Sequence, residues 1–223
     1  MIQSFLLSAY TYFTYFLSPP CCLHCHESLL IRKAFCSNCS LLILPIVPFD
    51  FYVGKTKFIT IFAVSAYKDP LRALILSKYH GNETYIRFLA NFMVEQPVLQ
   101  HLDFDIITFI PLHWTRYATR GFNQAEIIAQ TIAQRTGKPV IPLIVRSKKT
   151  KYQAKLSLQQ REHNVQDAFT ISDSYQMQIV GKKILIVDDL FTTGSTIKAV
   201  SSVLWNYKPE KIDVFVACRV VNS

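Results

Sequence analysis

The sequence predicts an α/β protein in which helices cover both faces of a mostly parallel sheet. Four consecutive aliphatic residues at 184–187 are typical of a strand that is buried on both sides, as the strands of parallel sheets are. Apolar runs of this kind alternate along the chain with segments of helical spacing, which is the order of an α/β fold. The 223 residues, half of them hydrophobic, are enough for one ordinary domain with a small appendage, or for a single large domain.

The other elements follow from hydrophobic spacing and from the residues that end each segment. A proline closes the apolar run 104–111, and Gly81 after Lys78 is typical of a helix end. Apolar residues between 125 and 132 share one face of a helix over 123–135. The full prediction is strands over 59–67, 104–111, 140–145, 184–187 and 214–218, helices over 71–77, 85–92 and 123–135, and a helix that starts near Thr196.

The segment after the strand at 184–187 has the composition of a ligand site. Asp188 and Asp189 come first, where the strand is expected to end, and a loop of threonine, glycine and serine then opens into a helix. Backbone N–H groups at a helix start bind anions, whereas two carboxylates suit sugar hydroxyls or a divalent cation. The segment therefore predicts a ligand with both phosphate and ribose. A buried strand with an acidic turn is the alternative, and the sequence contains no Walker A loop.

An arginine beside a glycine follows the strand at 104–111. The guanidinium of Arg120 could pair with two phosphate oxygens, and Gly121 would let the backbone approach them closely. This turn therefore indicates diphosphate binding, with a solvated basic turn as the alternative.

Basic residues are in excess over the whole chain, with a net charge of +9, which favours polyanionic partners. Arg146 begins a run with five basic residues in its first ten positions. Such a run suits the phosphate backbone of nucleic acid, and it equally suits a solvated loop. The nucleic-acid candidates are Lys148, Lys149, Lys151 and Lys155.

Five of the six cysteines lie between positions 21 and 39, and four of them form two Cys-x-x-Cys pairs. Two such pairs complete the four-thiolate set that structural Zn²⁺ prefers, and this site would serve folding rather than catalysis. A pair of disulfides is the competing interpretation, and a reducing compartment disfavours it. Cys21, His24 and His26 are spare candidates. The predicted zinc ligands are Cys22, Cys25, Cys36 and Cys39.

The amino-terminal residues 1–17 are apolar and aromatic but lack a basic start and a cleavage site. No stretch of 18 apolar residues occurs that would span a membrane. We therefore expect a cytoplasmic protein, in which residues 1–17 cover the core or dock a partner.

The acidic segment resembles the PRPP (phosphoribosyl pyrophosphate) motif of the type I phosphoribosyltransferases. The resemblance implies the fold of that family, Mg²⁺ bound with PRPP, and a mobile hood loop near 147–169. It implies that Asp188 and Asp189 hold the ribose, and that Arg120 and Gly121 hold the pyrophosphate. The 5′-phosphate would lie against Thr192, Thr193, Gly194, Ser195 and Thr196. Phe191, a bulky residue before that loop, departs from the family pattern.

The chain as a whole resembles the ComF-type competence proteins within that family. The hallmarks are the cysteine pairs and the acidic motif, together with Lys78-Tyr79-His80-Gly81, Pro111-Leu112-His113, Arg116, Arg120-Gly121-Phe122-Asn123-Gln124-Ala125, Gln153, Arg161, Asn164 and Ala168-Phe169. The resemblance implies a role in DNA uptake during natural transformation, with incoming single-stranded DNA and competence proteins as partners. It divides the chain into a zinc module at 1–50 and a transferase domain at 51–223, whose residues 51–102 form the hood side.

Three functions remain open from the sequence. The first is an active transferase, in which a nitrogen nucleophile displaces pyrophosphate from PRPP. The second is a nucleic-acid-handling module that retains a PRPP pocket, and the third is a nucleobase salvage enzyme. No histidine or carboxylate is placed by spacing as a general base. The cysteine module argues against salvage, because salvage enzymes do not need it to fold.

Overall fold

A computed structural model describes residues 19–54, 56–76, 83–112, 117–119, 121–146 and 168–221. Helix α1 (Ser37–Leu41) belongs to the cysteine-rich region and is followed by strands β1 (Phe49–Tyr52) and β2 (Phe58–Ala66). Within these ranges, none of the helices has both the length and the apolar character needed to cross a bilayer. The elements that follow are α2 (Leu71–Leu76), α3 (Glu83–Val94), α4 (Pro97–Gln100), β3 (Ile106–Phe109), α5 (Gln124–Thr136), β4 (Ile144–Arg146), β5 (Phe169–Ile171), a 3₁₀ helix (Asp173–Gln178), β6 (Lys183–Phe191), α6 (Ser195–Trp205) and β7 (Lys211–Arg219).

The main sheet has five strands in the order β1-β2-β7-β6-β3. Strands β2, β7, β6 and β3 run parallel, and only the edge strand β1 is antiparallel to its neighbour. The parallel strands bury both faces, as their apolar runs predict. The predicted mostly parallel sheet is confirmed, and the carboxyl ends of four strands lie along one edge.

Two apolar layers cover the two faces of this sheet. Leu185 and Phe215 point into the first layer, which contains the buried sides of α2, α3 and α5 together with Phe35 of the cysteine-rich region. Ile186 and Val214 point into the second layer, which contains α6 and the short strands β4 and β5. The alternation of side chains along each strand assigns neighbouring residues to opposite layers.

The predicted strand over 140–145 is wrong as one continuous strand, since it is interrupted between a bridge at Val140 and strand β4. Val140 forms an isolated bridge with Ile107, whose N–H donates to Pro139 O at 2.9 Å. Pro142 cannot donate a backbone hydrogen bond, so the pairing stops there. The chain then enters β4, which pairs with β5 in a separate antiparallel sheet.

Candidate functional site

The two aspartates lie inside β6 and not after its end, which corrects the expected end of the strand. Asp188 pairs in register with Val216, and Phe191 still pairs with Arg219. Strand β7 is long enough to continue the ladder beyond the carboxylates, and the N–H of Val220 donates to Phe191 O at 2.9 Å. The acidic pair is therefore held by a regular strand at the carboxyl edge of the sheet.

Burial differs between the two carboxylates. Asp189 is 8% exposed, whereas Asp188 is half-buried. The backbone N–H of Asp189 donates to Asp188 Oδ1 at 2.9 Å, which orients the more accessible carboxylate. Burial, and then the charge of Asp189, raise the pKa of the Cys218 thiol to about 12. The negative charge of Asp189 therefore disfavours ionisation of a thiol on the neighbouring strand β7.

The loop after β6 leads directly into helix α6. Gly194 is the N-cap of α6 and adopts the left-handed conformation with φ +77°. The hydroxyls of Thr193 and Ser195 are 2.9 Å apart, and the Lys198 N–H donates to Gly194 O at 2.7 Å. The first N–H groups of a helix have no partner within the helix, so this end presents donors and a partial positive charge. The arrangement can accept an anion beside the acidic pair.

Two aromatic rings close over Gly194 from one side. A β-carbon at this residue would stand 2.6 Å from Phe51 Cζ and 2.7 Å from Phe191 Cζ. Phe49 completes an edge-to-face cluster, with ring centroids 5.7 Å from Phe191 and 6.4 Å from Phe51. Phe191 therefore packs against the loop and supports it. The bulky residue that departs from the family pattern thus has a structural role. The sequence did not identify Phe51, because its strand lies 140 residues earlier in the chain.

The turn that carries Gly121 returns to the carboxyl end of β3. Gly121 has φ +79°, and its N–H donates to Tyr117 O at 2.7 Å. Asn123 caps α5 by accepting the Ala125 N–H, and its Nδ2 donates to Ile110 O at 3.0 Å. The Ile110 N–H in turn donates to Val187 O, one residue before Asp188. These bonds connect the Gly121 turn to the strand that carries the acidic pair.

Several predicted residues lie outside the described ranges. They are Arg116, Arg120, the four lysines at 148, 149, 151 and 155, the motif at 78–81, His113, Gln153, Arg161, Asn164 and residues 1–17. The described part of the predicted hood loop consists of Ala168 and Phe169, which are both buried.

The four predicted metal ligands converge at the amino-terminal end of the described chain. The sulfur atoms of Cys22, Cys25, Cys36 and Cys39 all lie within 4.8 Å of one another. The Cys25 and Cys36 sulfurs are 3.7 Å apart. Four sulfurs around one Zn²⁺ at ~2.3 Å would be about 3.8 Å apart, so the spacing fits a tetrahedral site. The cluster could therefore hold a metal ion.

The thiols of the cluster differ in acidity, and the pKa of Cys36, like that of Cys39, lies above its usual value. Burial opposes ionisation of Cys22, but the backbone N–H groups of Cys25, Cys36 and His24 outweigh it and lower the pKa to about 6. Burial and the neighbouring thiols raise the pKa of Cys39 above its usual range. Four negative sulfurs at this spacing repel one another, and a divalent cation removes that repulsion.

The spare candidates lie beside the cluster. His24 Nδ1 is 3.4 Å from Cys39 Sγ, where an N–H group would stabilise a metal-bound thiolate. Cys21 is exposed and bridges to Ser28 in a short antiparallel pair. His26 adopts a left-handed backbone with φ 61° and turns the chain after the first pair of cysteines.

Comparison with known proteins gives one matching family model. The phosphoribosyl transferase domain matches residues 118–222, which include Gly121, both aspartates and the whole loop before α6. Among solved structures, an adenine phosphoribosyltransferase aligns with a TM-score of 0.40 and 13% identity over 82% of this chain and 90% of its own.

Two curated relatives match nearly the whole chain. Competence protein F of Haemophilus influenzae is 28% identical over 208 residues, which are 90% of this chain and 85% of the relative. The DNA utilization protein YhgH of Salmonella typhimurium is 26% identical over 209 residues, which are 90% of each chain.

Proposed function

Because the chain belongs to the ComF-type branch of the phosphoribosyltransferase family, we propose that it binds PRPP with Mg²⁺ and supports DNA uptake in natural transformation. In this role it handles incoming single-stranded DNA in the cytoplasm. Residues 1–50 form its zinc module and residues 51–223 its transferase-like domain. The names of the relatives, a competence protein and a DNA utilization protein, support the cellular role.

The observation that carries PRPP binding is the juxtaposition of an acidic pair near the end of β6 and the N-terminus of α6 across the three-residue loop 192–194. Asp188 and Asp189 accept hydrogen bonds from the ribose hydroxyls, because ionised carboxylates are acceptors only. Residues Thr192 to Thr196 donate backbone N–H and hydroxyl groups to the 5′-phosphate. One ligand that carries ribose and phosphate satisfies both halves of this site.

The pyrophosphate of PRPP would lie towards the Gly121 turn. The positive φ of Gly121 brings backbone close to the end of β3, and Arg120 precedes it in the sequence. Mg²⁺ supplies charge neutralisation of the diphosphate when it is bound. The Asn123 amide holds the turn against Ile110, next to the acidic strand.

Zn²⁺ is the metal that best suits the four thiols, because four sulfur ligands in a tetrahedron are its usual structural site. Four protein ligands leave no position for water or substrate, so the metal stabilises the fold. Cys22, Cys36 and Cys39 are buried with Phe35 in the layer that covers the sheet. The module therefore contributes to the same core as α3.

Calorimetric titration of PRPP into the purified chain tests the proposal. We expect saturable binding that requires Mg²⁺, and loss of most of the affinity in Asp188→Asn and Asp189→Asn. Ribose 5-phosphate should bind more weakly, because it lacks the diphosphate. The absence of PRPP binding in a folded, zinc-loaded wild-type protein would overturn the assignment.

Active phosphoribosyl transfer to a nitrogenous acceptor is the second candidate, and the matched transferase domain favours it. In that reaction the nitrogen forms a bond to ribose C1′ while the bond from C1′ to the pyrophosphate oxygen breaks. The residues at 120–121 would stabilise the departing pyrophosphate. Release of pyrophosphate from PRPP in the presence of one of a panel of nucleobases would establish this activity. If none of the nucleobases supports release, the binding role is favoured.

Single-stranded DNA binding is tested through its dependence on salt. Neutralising Lys148, Lys149 and Lys151 should weaken oligonucleotide binding and lower the slope of log affinity against log salt by about 2, at ~0.7 for each lost phosphate contact on a single strand. The matched control neutralises Lys68, Lys138 and Lys182, three exposed lysines elsewhere on the protein. Equal effects in both triple variants would show that only net charge matters.

A further inference from the structure

A wide, solvent-open cavity lies beside the carboxyl end of β3. Its volume is about 560 Å³. Pro111 at the end of β3 and Pro142 before β4 form two of its walls, and Tyr117, Tyr175, Arg146 and Ser172 contribute the aromatic and polar surface. Volumes of about 300–1,000 Å³ are typical of sites that hold a small molecule or one part of a larger ligand.

The two tyrosines are brought together from distant parts of the chain. Tyr117 comes from the turn that ends at Gly121 and is 50% exposed. Tyr175 comes from the 3₁₀ helix and packs partly against the second apolar layer. The Tyr175 N–H donates to Ser172 O, and the Ser172 N–H donates to Leu143 O at 2.9 Å, which fixes this helix to the strand β4 region. The cavity therefore has aromatic surface on separate, anchored elements.

A cation lies at the same opening. The guanidinium of Arg146 lies over the ring of Phe169, 5.3 Å from its centroid, and this contact holds the side chain at the end of β4. Aromatic surface next to a cation is the combination that binds single-stranded nucleic acid, because rings stack on bases while cations pair with phosphates.

We propose that this cavity, between the Tyr117 turn and the β4–β5 sheet, receives an unpaired nucleobase of single-stranded DNA. The inference rests on the DNA-handling part of the proposed function and adds the site at which bases are held. The rings of Tyr117 and Tyr175 supply the stacking surface. Arg146 contacts the adjoining phosphate, and the Ser172 hydroxyl is available to the base edge. Duplex DNA is excluded, because its bases are stacked on one another and cannot enter a cavity.

The experiment uses the full chain and a short oligonucleotide that carries one 2-aminopurine, a base whose fluorescence falls when it stacks. Tyr117→Ala removes a half-exposed ring, and Tyr175→Leu removes the second ring while it keeps apolar volume against the core. We expect each variant to bind roughly tenfold more weakly, since stacking of one base contributes about 5- to 150-fold in affinity. Tyr52→Ala, at an exposed tyrosine on the opposite edge strand β1, is the matched control.

Two readouts separate stacking from charge and from misfolding. The slope of log affinity against log salt should stay at the wild-type value in both tyrosine variants, because no phosphate contact is lost. The fluorescence decrease of 2-aminopurine seen with wild type should be smaller in both variants and unchanged in Tyr52→Ala. Thermal unfolding midpoints close to that of wild type confirm that the fold of each variant persists.

The outcomes are distinguishable. If wild type binds the oligonucleotide but Tyr117→Ala and Tyr175→Leu bind it as tightly, with the same fluorescence decrease, the cavity assignment is wrong and the DNA role stands. If wild type binds a duplex of the same sequence as tightly as the single strand, the cavity is again excluded as the site. If wild type binds no oligonucleotide while it still binds PRPP, both this inference and the DNA-handling role fail.

Discussion

Phe51, on the antiparallel edge strand, closes the space above Gly194 in the candidate phosphate loop. A β-carbon at residue 194 would lie 2.6 Å from Phe51 Cζ, well inside van der Waals contact. The strand that follows the cysteine module therefore contacts the loop that precedes α6. Position 194 requires glycine for two separate reasons, the left-handed backbone and the two rings.

Gly194→Ala should destabilise the protein by more than backbone strain alone explains. The left-handed conformation costs alanine about 1–2 kcal/mol, and forcing a methyl group against packed rings adds about 1–3 kcal/mol. Gly181→Ala is the matched control, because Gly181 has φ +66° and no atom within 4 Å of its would-be β-carbon. Denaturant unfolding of both variants measures the difference. Equal losses of unfolding free energy in the two variants would show that the Phe51 and Phe191 rings move aside without destabilising the protein.

Asp189→Asn and Asp188→Asn should each lower PRPP affinity at least tenfold. Hydrogen bonds to a charged group contribute about 1.5–3 kcal/mol, and the neutral amide gives that up while it keeps the size of the side chain. Asp173→Asn, at an exposed aspartate on the 3₁₀ helix, should leave the affinity unchanged. Calorimetry measures the affinity, and thermal unfolding shows whether each variant is folded. Wild-type affinity in both site variants would show that Asp188 and Asp189 do not bind PRPP.

Cys36→Ser should abolish stoichiometric zinc binding. Cys36 is buried, faces Cys25 at 3.7 Å, and its sulfur also accepts the Cys39 N–H at the start of α1. Metal analysis of the purified protein should give about one zinc per wild-type chain and far less in the variant. Cys21→Ser, at an exposed cysteine outside the group of four, should retain the metal. Zinc retained in Cys36→Ser and lost in Cys21→Ser would show that Cys21 is a ligand and Cys36 is not.

Asp213→Asn should stabilise the protein at neutral pH and not at acid pH. Asp213 is 2% exposed, and burial raises the pKa of its carboxyl even though Lys211 Nζ lies 2.8 Å away and opposes the shift. A raised folded-state pKa means that the native state prefers the protonated form. The contribution of this group to stability is therefore complete below the usual aspartate pKa of 3.8 and is lost as the pH rises through the raised value.

The gain from Asp213→Asn should therefore increase as the pH rises from about 3.8 towards 7. Midpoints of thermal unfolding for wild type and variant, compared at each pH, measure it, at about 2–4 °C for each kcal/mol in a chain of this size. Effects of acid on the metal are common to both proteins and cancel in the difference. A gain that is the same at every pH would assign the effect to packing instead of charge.

Cys218 should resist thiol reagents in the native protein at pH 8. It is buried, and burial together with Asp189 raises its pKa to about 12, so almost no thiolate is present. Cys21 is exposed and should react rapidly in the zinc-loaded protein, in which the four ligand thiols are protected. Titration with a chromogenic disulfide should thus show one fast thiol per chain. Rapid loss of a second thiol from Cys218 would indicate local opening of β7.

The sequence predicted the elements whose pattern is local. Four aliphatic residues were sufficient to predict β6, and the two Cys-x-x-Cys pairs were sufficient to predict the four-sulfur cluster. The helix over 123–135 was confirmed as α5, with Asn123 as its cap. These features depend on neighbours within a few residues, which a sequence pattern records.

The features that depend on distant residues were not predicted. The contact of Phe51 with Gly194, and the position of Tyr117 and Tyr175 at one cavity, join segments far apart in the sequence that only the fold brings together. Strand β6 also extends past the aspartates because β7 lies beside it, a tertiary effect that overrides the acidic residues. Pro142 interrupted the predicted strand over 140–145 through its missing donor.

The order of strands in the sheet constrains when this chain can fold during translation. Strand β7 comes last in sequence among the described strands, yet it lies in the middle of the sheet. Thr60 of β2 lies opposite Asp213 on one side, and Leu185 of β6 lies opposite the same residue on the other. Strands β2 and β6 have no contact with each other until β7 is inserted between them. A nascent chain on the ribosome would expose two apolar strand edges until residues 211–219 emerge, so chaperone protection is most needed before that point.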